Sequence, residues 1–232
     1  MSTPLDRELP HPPIIQGRPI MQGNVPQEGQ SRSDQIHQLI GSYGQIAVDL
    51  TAEGWSPYLL VLKYRHLGGR RDAVIAQMHR EAARAYEWIL SRVWKHPYAA
   101  TVQDLLPRWI LAPDVPVAKQ AKIGVREFVP NDGLHLQGVA VMPPGSRLRE
   151  GLDLHLAREG LRYCPRGGPL ISLHATPITS DLPYVHRYNF KALPRGQARL
   201  DDIFILPPAF SERRSQPHRA TEPWQPLVFN RG

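Results

Sequence analysis

The spacing of hydrophobic and polar positions changes along the chain between a helical and an extended period. Helical spacing predicts helices at 34–52, with Ser33 as N-cap, at 70–93 and at 148–159. Short apolar or alternating runs bounded by Gly and Pro predict strands at 58–64, 108–111, 123–128, 134–142, 170–175 and 203–206. The pattern therefore predicts an α+β fold in which helices pack on an antiparallel β-sheet.

The two ends of the chain lack this regular spacing. Residues 1–33 are rich in Pro, Gln, Ser and Gly, and residues 207–232 are rich in Pro, Ser and Arg. Such segments bury too little apolar surface to offset the loss of chain entropy on folding. We therefore expect two disordered tails around a single domain at 34–206, with its core at 57–206.

A turn composition precedes the predicted strand 134–142. The sequence Pro130-Asn131-Asp132-Gly133 suits a turn that joins strands 123–128 and 134–142 as a hairpin. Such a hairpin would bring Glu127 near the side chains of the second strand, although the pattern does not fix its register.

Two polar side chains interrupt the apolar run of strand 134–142. His135 and Gln137 are two residues apart, so they point to the same face of a sheet. Imidazole nitrogen, amide oxygen and a carboxylate together suit Mg²⁺ or Mn²⁺ and leave positions for a phosphate. The alternative is that both residues are polar positions on an exposed sheet face.

A second group of chemically capable residues lies about fifty residues later. Tyr184, Tyr188 and Lys191 have i, i+4 and i+7 spacing, after Ser180 or Asp181 as N-cap. Tyrosine is a weak nucleophile at neutral pH, so attack on a phosphodiester requires a cation on the phosphate and a positive group near the phenolate. The alternative is a helix that buries both tyrosines in the core and leaves Lys191 at its rim.

The order His-hydrophobic-Gln on a strand, followed by Tyr-x-x-x-Tyr-x-x-Lys on a helix, resembles the HUH endonucleases of the rolling-circle replication initiator (Rep) type. The resemblance covers residues 57–206. It implies a sheet-centred HUH/Rep-like nuclease that nicks single-stranded DNA or a DNA hairpin, holds the 5′ phosphate on tyrosine, and later rejoins the ends.

The resemblance also assigns roles to individual residues. Mg²⁺ or Mn²⁺ would be held by His135, Gln137 and an acid just before the strand, with Glu127 the first choice and Asp132 the second. Because single-tyrosine members keep Tyr-x-x-Lys, Tyr188 is the expected first nucleophile. Tyr184 would act second or only pack. The chain has no Gly-x-x-x-x-Gly-Lys-Ser/Thr loop, so we expect a separate helicase.

Composition narrows the partners and the compartment. A net charge of +7 favours an anionic partner, with nucleic acid favoured over membrane. The single Cys164 excludes an internal disulfide, and no apolar run or signal-peptide pattern indicates a membrane or export. We expect a soluble, cytoplasmic protein. A Rep-like DNA-binding module that does not cut, and a basic intracellular scaffold, are the alternative functions.

Overall fold

The computed structural model describes residues 31–115 and 130–208. The predicted strand 123–128 with Glu127 lies outside these residues, as does nearly all of both predicted tails. No helix in the described ranges is long and apolar enough to cross a membrane.

The described residues form α-helices and β-strands in mixed order. The helices are α1 (Arg32–Ala52), α2 (Arg71–Val93), α3 (Leu152–Arg158), α4 (Gly160–Tyr163) and α5 (Leu182–Asn189). The strands are β1 (Ser56–Tyr64), β2 (Arg108–Asp114), β3 (His135–Met142), β4 (Leu170–Pro177) and β5 (Phe204–Leu206). Short 3₁₀ turns span Ala100–Leu105, Pro130–Gly133 and Leu200–Asp202.

All five strands join one antiparallel sheet in the order β4-β1-β3-β2-β5. The predicted α+β fold with an antiparallel sheet is therefore confirmed. The predicted hairpin between 123–128 and 134–142 is wrong, because β1 and β2 occupy both edges of β3 along its length. A turn composition before a strand indicates a reversal of the chain, but it does not identify the strand that pairs next.

The two faces of the sheet are covered by different helices. On one face, Leu60 and Leu136 belong to a core cluster that includes Met78 and Ile89 of α2 and Leu156 of α3. On the opposite face, side chains from β2 and β3 pack with α1 and α5; these are Ile110, Ala112, Val139 and Val141 with Ile40, Ala47, Leu182 and Phe190. The central strand β3 is thus buried on both faces.

Two predicted helix boundaries are wrong. Helix α1 begins earlier than predicted, because the Ser31 hydroxyl, rather than that of Ser33, accepts the Asp34 N–H at 3.2 Å. The predicted helix 148–159 begins only at Leu152, since Gly151 is extended and the Leu152 N–H donates to the Tyr58 hydroxyl at 3.2 Å. These positions depend on cap and tertiary contacts, which apolar spacing does not reveal.

Candidate active site

Three polar side chains meet on the face of the sheet that α1 and α5 cover. His135 lies directly opposite Asp114 of β2, and Gln137 lies opposite Ala112. Residues opposite each other in neighbouring antiparallel strands share a face, so Asp114, His135 and Gln137 belong to one cluster. The distance from His135 Nε2 to Asp114 Oδ2 is 3.8 Å.

These side chains are withdrawn from solvent. Gln137 is 7% exposed and Asp114 is 3% exposed, whereas the His135 side chain retains 15%. The alternative of polar positions on an exposed sheet face is therefore wrong. His135 Nδ1 lies 2.9 Å from the Gly133 carbonyl, which can only accept a hydrogen bond. Nδ1 therefore carries the proton, and in the neutral ring Nε2 has its lone pair available for a ligand.

Asp114 is the site residue that sequence reasoning missed. The predicted strand ended at Leu111, because Pro113 was assigned to a linker. In the structure β2 continues to Asp114, and Pro113 is accommodated because β5 pairs only with Trp109–Leu111 and leaves the rest of that edge unpaired. The available signal was one carboxylate that immediately follows a run of apolar strand residues.

Helix α5 presents both tyrosines to solvent. Its N-terminus is capped as predicted, with Asp181 accepting the Tyr184 N–H at 3.1 Å and Pro183 in the first turn. Tyr184 is 60% exposed and Tyr188 is 53% exposed. Their rings stack with centroids 6.2 Å apart. Burial of both tyrosines in the core is therefore wrong, and their hydroxyl groups are available to a substrate.

The buried side of α5 fixes its position against α1. His186 Nε2–H donates to the Ile40 carbonyl at 3.1 Å, and burial lowers the pKa of His186 to about 4. The close approach requires Gly44 in α1, because a Cβ there would lie 2.9 Å from His186 Cδ2. Buried Phe190 completes the contact from the end of the helix.

Lys191 connects the tyrosines to the strand cluster, but not from within the helix. The predicted helical position is wrong, because α5 ends at Asn189 and Lys191 lies in the turn that follows. The Lys191 Nζ donates to Asp114 Oδ2 at 2.7 Å and lies 4.2 Å from the centre of the Tyr188 ring. One ammonium group thus contacts both the strand carboxylate and the tyrosine.

Two buried polar atoms in the cluster lack hydrogen-bond partners among the described residues. They are Asp114 Oδ1 and Gln137 Nε2. Buried polar atoms of this kind are uncommon and indicate a position where a ligand can bind. An amide can present its oxygen in place of its nitrogen, so Asp114, His135 and Gln137 have a donor set that fits Mg²⁺ or Mn²⁺.

The cluster differs from the predicted ligand set in its acid. Glu127 and the Asp132 side chain lie outside the part of the chain that the structure describes, so their proposed roles stay predictions. That part of the chain also contains no group of three or more His, Cys, Asp or Glu side chains that could hold a metal. The site described here contains two such side chains and an amide.

Comparisons with protein-family models, curated proteins and solved structures found no match to this chain.

Proposed function

We propose that this protein is a metal-dependent HUH-type endonuclease that nicks and rejoins single-stranded DNA through a phosphotyrosine. The contact of Lys191 with both Asp114 and Tyr188 carries this proposal. It makes an exposed nucleophile, a cation and a cluster of metal-compatible donors into one continuous site. The net charge of +7 suits a polyanionic substrate.

Asp114, His135 and Gln137 are the described residues that would hold the metal. When bound, Mg²⁺ or Mn²⁺ supplies a Lewis acid that withdraws charge from the scissile phosphate. His135 is oriented for this role by its hydrogen bond to Gly133. The predicted ligands Glu127 and Asp132 are rivals of Asp114 for the carboxylate position.

Tyr188 is the proposed first nucleophile, because its ring contacts Lys191. Its oxygen would form a bond to phosphorus while the bond from phosphorus to the 3′-oxygen breaks. The phenol proton is lost, and the departing 3′-oxygen takes up a proton as a hydroxyl. Lys191 would stabilise the developing negative charge on the tyrosine oxygen. The reverse attack by a 3′-hydroxyl restores the DNA without ATP, and Tyr184 could accept a strand in a second transfer.

Loss of the Asp114 carboxylate tests the metal site. In Asp114→Asn we expect Mn²⁺-dependent cleavage of a labelled random-sequence pool of single-stranded DNA to fall by on the order of 100-fold. DNA binding should persist, since it depends mainly on phosphate contacts. Asp201→Asn, which changes an exposed acid, is the matched control. Cleavage at the wild-type rate in Asp114→Asn would refute the assignment of Asp114.

The rival carboxylates can be ranked in the same assay. If Asp114 is the ligand, Asp114→Asn raises the Mn²⁺ concentration for half-maximal cleavage, whereas Glu127→Gln and Asp132→Asn leave it unchanged. A raised midpoint in Glu127→Gln or Asp132→Asn alone would move the acidic ligand to that residue. DNA binding without any metal-dependent cleavage in the wild type would favour the binding module that does not cut.

A further inference from the structure

A second positively charged feature lies on the face of the sheet opposite the tyrosines. It is a groove of about 480 Å³ between α2, the segment 147–150, and helices α3 and α4. Five arginines line it: Arg92, Arg147, Arg149, Arg158 and Arg162. We refer to it as the arginine groove. Because α2 and α3 cover the face opposite His135, a ligand in this groove is separated from Tyr188 by the sheet.

The charge of the arginine groove is only partly neutralised. Glu150 pairs with Arg158 at 2.6 Å, and Glu159 pairs with Arg162 at 3.2 Å. The other three arginines, Arg92, Arg147 and Arg149, form no ion pair within the described residues. The Arg92 Nε is buried without a hydrogen-bond partner there. Three guanidinium groups are therefore available for an anion, and a buried donor has an unfilled position.

An exposed aromatic ring adjoins these guanidinium groups. Trp88 lies one helical turn before Arg92 on α2, so the two side chains share a face. The indole is 42% exposed, and the Arg162 guanidinium lies 5.6 Å from its ring centre. A phosphate alone makes no use of an exposed indole. A nucleic-acid strand uses both features, because its phosphates pair with arginines and its bases stack on aromatic rings.

The walls of the groove are held by buried contacts. His155 lies between Glu150, whose Oε1 is 3.1 Å from Nδ1, and Tyr163, whose hydroxyl is 2.7 Å from Nε2. The Arg147 N–H donates to the Val93 carbonyl at 2.9 Å and ties the 147–150 segment to the end of α2. The arginines are thus presented from anchored backbone, which lowers the entropy that binding would cost.

We propose that the arginine groove is a second nucleic-acid site, which binds a single strand through its phosphates and stacks a base on Trp88. The strand held there is distinct from the strand at Tyr188, because the sheet separates the two sites. This inference depends on the groove alone. It stands or falls independently of the proposed nicking reaction.

Loss of the available guanidinium groups tests the phosphate contacts. We would measure binding of a fluorescent oligonucleotide of about 15 nucleotides to the full chain without metal, at several salt concentrations. In Arg92→Gln/Arg147→Gln/Arg149→Gln, affinity should fall at least roughly tenfold, and the slope of log K against log salt should fall by about 2. The control is Arg32→Gln/Arg70→Gln/Arg80→Gln, which removes the same charge from exposed positions outside the groove.

Trp88 provides an independent test that leaves every charge in place. Trp88→Ala should weaken binding roughly 5- to 150-fold with an unchanged salt slope, and Trp88→Phe should recover part of the loss. Circular dichroism verifies that each variant is folded. Equal losses in the two triple variants, or no effect of Trp88→Ala, would overturn the proposal. Competition by tripolyphosphate as strong as by the oligonucleotide, or equal binding to phosphatidylserine vesicles, would also overturn it.

Discussion

The ammonium group of Lys191 occupies an electrostatic position that few surface lysines have. Its side chain is 17% exposed, and its partner Asp114 has a side chain only 4% exposed. A carboxylate that buried depends on a nearby cation, because burial removes most of its hydration. Lys191 therefore stabilises the strand cluster as well as serving the tyrosine.

Removal of this cation should destabilise the protein in a way that metal reverses. Lys191→Met leaves Asp114 buried and unpaired, so we expect the free energy of unfolding to fall by about 3 kcal/mol in urea without metal. Mn²⁺ should restore part of that loss, because a bound cation can neutralise the same carboxylate. The control is Lys95→Met, an exposed position. Equal losses in the two variants, or no effect of Mn²⁺, would contradict this role of Lys191.

His186 should give the protein a specific loss of stability in acid. Burial lowers its pKa from the ordinary value of 6.5 to about 4. Between these values the unfolded chain binds a proton that the folded chain does not, so the free energy of unfolding falls as the pH falls. From this group we expect a loss of about 3 kcal/mol between pH 6.5 and pH 4, and none above pH 6.5.

A replacement that cannot titrate should remove this part of the pH dependence. His186→Gln keeps an N–H that can donate to the Ile40 carbonyl but has no acid-base transition in this range. Urea unfolding at several pH values would show a flatter profile for His186→Gln than for the wild type. His37→Gln, on an exposed position of α1, should keep the wild-type slope. An unchanged profile in His186→Gln would remove His186 from the account.

At the scale of elements, the site depends on how closely β2 and β3 approach each other. Gly138 directly follows the His135-Leu136-Gln137 segment. A Cβ at Gly138 would lie 1.9 Å from the Ile110 carbonyl oxygen, which belongs to rigid backbone in the middle of the sheet. The pairing that places Asp114 opposite His135 therefore requires glycine at this position.

Gly138→Ala should disrupt this pairing. The strands would have to separate, so we expect the free energy of unfolding to fall by about 3 kcal/mol, measured by urea denaturation. Gly41→Ala is the matched control, because a Cβ there meets nothing within 4 Å. It should raise stability by roughly 0.5–1 kcal/mol, as Ala favours a helix over Gly. Equal stability of Gly138→Ala and the wild type would contradict the close pairing of β2 and β3.

Elements with a long period or a continuous apolar run could be predicted from the sequence. The spacing at 70–93 identified α2 to within one residue, and the run at 134–142 identified β3, with its polar pair on one face. The contact between Asp114 and Lys191 could not be predicted in this way. It joins residues 77 positions apart, and it depends on sheet order and on a turn after α5 that local spacing does not encode.

At the scale of the whole molecule, the sheet separates two chemically different surfaces. One contains the exposed tyrosines with Lys191, and the other contains the arginine groove with Trp88. If both proposals hold, one protein grips a strand on one surface while it cuts a strand on the other. The net charge of +7 is then used at two places instead of being spread uniformly.

The most direct test of the central claim is to identify the residue that becomes covalently attached to DNA. The protein would be incubated with Mn²⁺ and a random-sequence pool of single-stranded DNA, digested, and mapped by mass spectrometry. We expect phosphotyrosine mainly at Tyr188, loss of the adduct in Tyr188→Phe, and an intact first nick in Tyr184→Phe. Attachment mainly at Tyr184 would reverse the proposed order of the nucleophiles, and the absence of an adduct on both tyrosines would contradict the nuclease account.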